Sequence, residues 1–151
     1  MTFTVLNWNI NSIRKRFADL QQYALFNNID VLCIQETCAD NSFNPRFGGY
    51  VRYTLEHDQE NRGLAIYVKN DIPVKRIPVD FGYNTESLCV KVYLNGYQLN
   101  VVNVYIPDGQ LNTQLFPQFV TSEPTLLVGD LNARHSKLGS EGNTINSNGR
   151  R

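Results

Sequence analysis

The stretch PTLLVGDLNARH, residues 124–135, carries two signals side by side. Leu126-Leu127-Val128 is a continuous apolar run, the pattern of a strand buried on both faces. The run stops at Gly129, and a carboxylate and a carboxamide follow at Asp130 and Asn132. In open α/β sheets, sites form just beyond the carboxyl ends of the strands. The strand is therefore read as a rigid support, and the acid–amide pair as what it presents.

Working outward, the same sequence of events recurs three more times. TVL runs into Asn7, Asn9 and Asn11, VLCI into Gln35 and Glu36, and VVNV into Tyr105. Residues 3–6 read as a strand. In residues 11–28, Ile13, Phe17, Leu20 and Ala24 recur at three- and four-residue intervals, which predicts an amphipathic helix. Ser12 is placed to cap its first turn, and Asn27-Asn28 to end it. DVLCIQ, residues 30–35, reads as a buried strand. Strand, helix and strand in this order predict a crossover unit with parallel strands.

Residues 43–63 are turn-rich and polar, a surface loop with room for a short strand. LAIYVK, residues 64–69, is a further strand. Residues 87–106 hold two β-rich runs around Asn95-Gly96, a dipeptide suited to the positive φ angles of a hairpin turn. Residues 111–120 favour a helix that Pro117 kinks or ends. From Leu131 onward the chain reads as a polar, Gly- and Asn-rich tail.

Length and composition fit one soluble domain over residues 1–151. Hydrophobic residues make up 42% and charged residues 19%, enough for a core without a disordered or membrane composition. Lys plus Arg equals Asp plus Glu at 14 each, which argues against a general electrostatic grip on nucleic acid and leaves room only for a local patch. No apolar stretch approaches membrane-span length. The start, MTFTVLNW, has neither the basic region nor the apolar core of a secretion signal, so a nuclear or cytoplasmic protein is expected. Cys33, Cys38 and Cys89 form an odd set without zinc-type spacing and are expected as reduced thiols. Cys33 lies in an apolar run and reads as a core residue.

Carboxylates and amides at strand ends are hard oxygen ligands, which suit magnesium rather than a soft or His-rich metal site. A magnesium ion can neutralise phosphate charge and polarise a phosphoryl oxygen. Asn and Tyr can hydrogen-bond phosphate oxygens without adding negative charge, and a second carboxylate can orient or deprotonate water. The inventory fits hydrolysis of a phosphodiester or a phosphomonoester, and by itself it does not separate nuclease from phosphatase.

IQET at 34–37 and GDLNA at 129–133 resemble two signature motifs of the endonuclease/exonuclease/phosphatase superfamily, the DNase I-like proteins. LNWNIN at 6–11 resembles its first motif, VNVYIP at 102–107 its tyrosine-bearing motif, and GLAIYVK at 63–69 the strand after its first long loop. GDLNARHSKLGS with NTINSNGRR is most similar to the AP-type endonuclease of non-LTR retrotransposons, particularly the jockey-like group, which nick chromosomal DNA to prime reverse transcription. The resemblance spans essentially the whole chain. It implies a four-layer α/β sandwich, two facing mixed sheets with helices outside, the second sheet incomplete here.

The resemblance also implies roles. Glu36 matches the principal metal ligand, with Asn9 beside metal and phosphate. Tyr105 matches the tyrosine on the scissile phosphate. Asp130 matches the aspartate that activates water, and Asn132 the asparagine that supports phosphate and transition state. Asn11 joins the substrate-binding set. The implied cofactor is magnesium, with manganese as a substitute, and the implied partners are DNA and a continuation of the polypeptide carrying reverse transcriptase. The family pattern closes with further strands and a Ser-Asp-His motif that this sequence does not reach. The chain is thus expected to be an incomplete domain, inactive alone. A non-catalytic remnant, and a phosphatase acting on a non-DNA phosphoester, are the competing expectations.

Blander roles stand beside these. Asp130 is also a turn former after Gly129, and Tyr105 can cover a core edge. Asn7, Asn9 and Asn11 cannot all have one job: one is expected in a turn and one near the helix cap. Arg14, Lys15 and Arg16 read first as a solvated helix face. His57 falls in the long loop and His135 just past the GDLNA motif, so neither matches the closing histidine.

Overall fold

The computed structural model describes residues 2–39, 43, 45–56, 62–82, 84–115, 117, 123–140 and 144–150. Among these residues, eight strands make two sheets of four. The first sheet contains β1 (Val5–Asn9), β2 (Val31–Gln35), β3 (Tyr50–Leu55) and β4 (Leu64–Lys69), in the order β1-β2-β4-β3. The second contains β5 (Val74–Ile77), β6 (Glu86–Leu94), β7 (Tyr97–Tyr105) and β8 (Thr125–Asp130), in chain order. The long α-helix α1 (Ile13–Phe26) is the crossover between parallel strands β1 and β2, as the strand–helix–strand pattern predicted.

Every residue of β2 is buried, because α1 covers one face of its sheet and the second sheet covers the other. Ile13, Leu20 and Ala24 of α1 pack on Leu32, Ile34, Ala65 and Tyr67. Between the sheets, Val31, Cys33, Ile66 and Val68 meet Leu88, Val90, Val92 and Val101. Each such aliphatic burial stabilises by about 1.5–3 kcal/mol, against about 0.5–1.5 kcal/mol for a hydrogen bond. The apolar seam therefore holds the layers together, and polar contacts across it set their relative position.

Several expectations change at this level. The two facing mixed sheets are as expected, with α1 outside the first, and among the described residues these are the layers. No α-helix covers the outer face of the second sheet among the described residues; there Phe81 and Val79 pack on Cys89, Val102 and Val104. Ser12 sits at the N-cap of α1 at φ 85°, and its side chain makes no capping bond; Asn27 does close the other end, donating from Nδ2 to the Tyr23 carbonyl at 2.8 Å. In the β6–β7 hairpin Gly96 takes φ 92° and Asn95 does not take a positive φ, so one left-handed position suffices. Residues 113–115 form a 3-10 helix, and the rest of the expected helix at 116 and 118–120 lies outside the described residues, as does His57.

Candidate functional site

Two parallel strand pairs make the site. β1 pairs with β2, Asn9 opposite Gln35, and β7 pairs with β8, Tyr105 opposite Asp130. Parallel pairing puts both carboxyl ends of each pair at one edge. The two sheets face each other, so the strand ends carrying Asn9, Glu36, Tyr105 and Asp130 come to one place.

Asn9 spans the gap between the sheets. Its Nδ2 donates to Glu36 Oε1 at 2.9 Å and to Asp130 Oδ2 at 2.8 Å. Both protons of one amide are thus spent on two carboxylates from different sheets. The three neighbouring asparagines divide the work. Asn7 Nδ2 donates to the Gly129 carbonyl at 3.3 Å, while Asn7 Oδ1 accepts from Gln35 Nε2 at 2.8 Å. Asn11 is an exposed turn residue at φ 46°, and its backbone N–H donates to Asn9 Oδ1 at 3.3 Å.

The backbone at the strand ends is unusual. Glu36, Asn11 and Asn132 adopt φ 50°, 46° and 46°, left-handed conformations that non-glycine residues seldom take. Asparagine tolerates this region; glutamate does so only where its surroundings insist. Here they do: Ser12 N–H donates to the Glu36 carbonyl at 2.9 Å, and the next two amides, Thr37 and Cys38, donate to the Gly63 and Arg62 carbonyls at 3.1 and 2.9 Å. Gly63 is held in turn by buried Glu86, whose Oε2 accepts its N–H at 2.8 Å while Arg62 pairs with Oε1 at 3.4 Å. The glycine that ends the opening stretch has an equally local reason. At Gly129, φ 151°, a β-carbon would overlap the Val104 carbonyl of β7.

On the second sheet, the Tyr105 hydroxyl is pushed up to about 12, first by burial, then by its hydrogen bond to the Glu36 carboxylate and that group's negative charge, with Asp130 adding to the effect and a hydrogen bond with Asn132 opposing it. It is therefore a protonated donor at any physiological pH. Asn132 donates from its backbone to Asp130 Oδ1 at 2.8 Å and from Nδ2 to the Ile106 carbonyl at 3.0 Å. Glu36, Asn9, Asp130 and Asn132 thus form one connected hydrogen-bond network, with Tyr105 beside it opposite Asp130 and Asn11 at its rim.

Other predicted residues lie apart. His135 Nδ1 accepts from Lys137 N–H at 3.0 Å and caps a 3-10 helix at Ser136–Leu138. Arg14, Lys15 and Arg16 are exposed at the start of α1, with Arg14 over the Phe43 ring at 4.8 Å from its centroid. Conversely, sequence reading missed a buried amide network behind the site. Asn103 Nδ2 on β7 donates across the interlayer to the Ile34 and Ala65 carbonyls at 3.0 and 3.1 Å, and Gln35 Nε2 donates to Asn103 Oδ1 at 2.5 Å. It also missed Asn146 and Asn148, which fold back from the C-terminal segment. The signal was faint: Asn103 is one amide in the apolar run VVNV, and the two late asparagines sit in a stretch that reads as turns.

No cluster of three or more His, Cys, Asp or Glu side chains occurs among the described residues. The donor set that exists is two carboxylates and an amide, all hard oxygens, and it fits a magnesium ion that keeps much of its water shell. The amide group of Asn9 occupies the space between the carboxylates with its positive end, where a cation's charge belongs. Its oxygen, now facing Asn11, reaches an ion only after the side-chain amide rotates.

A model of the Endonuclease/Exonuclease/phosphatase family matches residues 6–150. Among solved structures, the endonuclease domain of TRAS1, a telomere-specific non-LTR retrotransposon, superimposes with TM-score 0.71 at 18% identity, over 94% of this chain and 66% of that one. D. rerio TDP2 complexed with single-strand DNA product gives 0.67 at 17%, over 93% and 66%, and an AP endonuclease from Archaeoglobus fulgidus gives 0.60 at 22%, over 87% and 58%. At these identities the likeness shows the fold. The chain spans a little under two thirds of the TRAS1 domain's length. No curated protein matches the sequence.

Proposed function

Since the chain belongs to the endonuclease/exonuclease/phosphatase family, we propose that it contributes the catalytic network of a magnesium-dependent DNA-nicking endonuclease of the non-LTR retrotransposon kind. One observation carries the reading: Asn9 joins Glu36 and Asp130 across the two sheets, with Tyr105 paired opposite Asp130 at the end of β7. Such a cluster of acids and neutral donors suits an anionic phosphodiester.

In this reading Glu36 and Asn9 hold the magnesium ion, or manganese in its place. When bound, the ion supplies charge neutralisation on the phosphate and polarises a phosphoryl oxygen. Asp130 orients the attacking water and accepts its proton. Asn132 and Tyr105 donate hydrogen bonds to phosphate oxygens, and Asn11 lines the rim where DNA enters. The partners are DNA and a reverse transcriptase carried on the same polypeptide, acting in target-primed synthesis in the nucleus or cytoplasm. No helix among the described residues is long and apolar enough to cross a membrane.

A second reading rests on β8. This strand lies at the edge of its sheet, and all six of its residues, Leu126 to Val128 among them, are only half-buried. An apolar edge strand pairs readily with another segment, so the chain can act as an assembly fragment whose chemistry needs further residues. A plasmid-nicking assay separates the two. We expect magnesium-dependent nicking from a form extended at its C-terminus through a Ser-Asp-His motif, reduced at least ~100-fold by Glu36→Ala or Asp130→Ala. Nicking that persists in both variants refutes the assignment. Turnover of phosphomonoesters without DNA cleavage would move the substrate class to that of a phosphatase.

A further inference from the structure

The C-terminal segment makes a clasp that the reading above leaves unused. Asn148 is 1% exposed, deep burial for so polar a side chain. Its Nδ2 donates to the Pro107 carbonyl at 3.0 Å, two residues past Tyr105, and to the Leu131 carbonyl at 2.8 Å, between Asp130 and Asn132. Its Oδ1 accepts from Leu111 N–H at 3.0 Å. One side chain thus ties the loop leaving β7 to the loop leaving β8. Asn146 acts beside it: Nδ2 donates to the Asn132 carbonyl, and Oδ1 accepts from the Arg134 and Gly149 N–H groups at 2.8 and 3.0 Å. A β-carbon at Gly149 would overlap the Arg134 backbone, so the segment lies as close to this loop as a chain can.

We propose that Asn148, assisted by Asn146, is the positioning residue that holds the loop after β8, and with it Asn132, against the loop after β7 beside Tyr105, and through it sets the geometry offered to metal and phosphate. The inference rests on the proposed function for its purpose, though not for its geometry. A carboxamide suits the task because it donates twice and accepts once, matching two loop carbonyls and one loop N–H. Aspartate has the same shape, loses both donations and sets a negative charge against two carbonyl oxygens. The β7–β8 pairing ends at Tyr105 and Asp130 with a last backbone bond from Ile106 N–H to the Asp130 carbonyl at 2.9 Å, and beyond it these side-chain amides, with Asn132 Nδ2 on the Ile106 carbonyl, tie the two loops together.

The test uses the whole chain labelled with 15N, and with 13C at the tyrosine ring carbon bearing oxygen; Tyr105 is assigned by loss of its signal in Tyr105→Phe. Magnesium chloride is titrated into wild type, Asn148→Asp, the milder Asn146→Asp, and Val92→Ala, a core control at the far end of β6. Expected is a weakening of magnesium-induced shifts at the Asn9 and Asn132 side-chain amides by about tenfold in Asn148→Asp and less in Asn146→Asp. Val92→Ala should lower Tm and keep the wild-type response. Wild-type magnesium affinity in both asparagine variants, despite a lower Tm, overturns the proposal and leaves the clasp a matter of stability. If wild type itself ignores magnesium, the metal reading fails separately. The clasp is then judged on the metal-free spectra: Tyr105 and Asn132 signals displaced in the asparagine variants and unmoved in Val92→Ala support it, and unmoved signals throughout overturn it.

Discussion

Asn103→Leu tests whether the site rests on the amide network buried behind it. Asn103 is fully buried on β7 and makes three interlayer hydrogen bonds, to Ile34 and Ala65 of the first sheet and from Gln35. Leucine is close in shape and removes all three. At a net worth of about 0.5–1.5 kcal/mol each, the loss is about 1.5–4.5 kcal/mol, which the packing of the new methyl groups offsets in part, leaving about 2–3 kcal/mol. For a chain of this size each kcal/mol lowers Tm by about 2–4 °C, so a fall of about 4–12 °C is expected by circular dichroism. The effect should also reach the site, because Gln35 precedes Glu36 and its side chain keeps just its bonds to Asn7 and the Cys33 carbonyl among the described residues. Magnesium affinity should fall with Tm. Asn103→Asp should do worse, since it loses both donations and buries a charge, at about 3–5 kcal/mol. A leucine variant melting within about 2 °C of wild type, with magnesium binding intact, would show that the apolar seam alone aligns the sheets.

Three further outcomes follow from other parts of the molecule. Gly129→Ala forces a β-carbon into the Val104 carbonyl, so β8 must shift from β7; it should cost about 1–3 kcal/mol and impair nicking even though Gly129 carries no functional group, and an unchanged melting curve and activity would contradict that close approach. Burial pushes the Cys33 thiol far up and the Cys89 thiol to about 11, so a native-state thiol titration should modify Cys38 alone at neutral pH and all three cysteines after unfolding. Tyr105 and Cys89 both hold their protons more tightly when folded, at about 12 and about 11; their contribution is complete below the unfolded values near 10 and 9 and is lost as pH rises through the folded ones, so urea midpoints should fall from about pH 9 upward, and Tyr105→Phe should flatten the upper part of that decline.

The strands legible in sequence were those whose burial wrote a pattern. β2 and β4 are buried apolar runs, and the β6–β7 hairpin announces itself at Asn95-Gly96; β8 was found as an apolar run, but it is a half-buried edge strand rather than one buried on both faces. β5 went unread because VKRI is a four-residue edge strand with Lys75 and Arg76 exposed. The parallel pairing of β1 and β2 followed from the intervening helix, whose cap did not: Ser12 is turned by the same tight path that places Asn11 and Glu36. The convergence of Asn9, Glu36, Tyr105 and Asp130 was anticipated from the rule about strand ends, and the facing sheets bring these strand ends together. The division of labour among the amides was not legible, because an asparagine in a turn and one sealed between two loops look alike until the partners are in place. Asn146 and Asn148 acquire their roles from carbonyls 14 to 41 positions away.

The first sheet is built wholly from residues before Asn70 and the second wholly from residues after it. Each half of this stretch of chain therefore forms one slab, and Glu36 and Asp130 belong to different slabs. Neither half can show the full constellation until its greasy inner side has found the other. During synthesis the earlier half must wait with Val31, Cys33, Ile66 and Val68 uncovered, and a cut in the exposed turn at Asn70-Asp71 should yield two polypeptides that recover the constellation only by recombining.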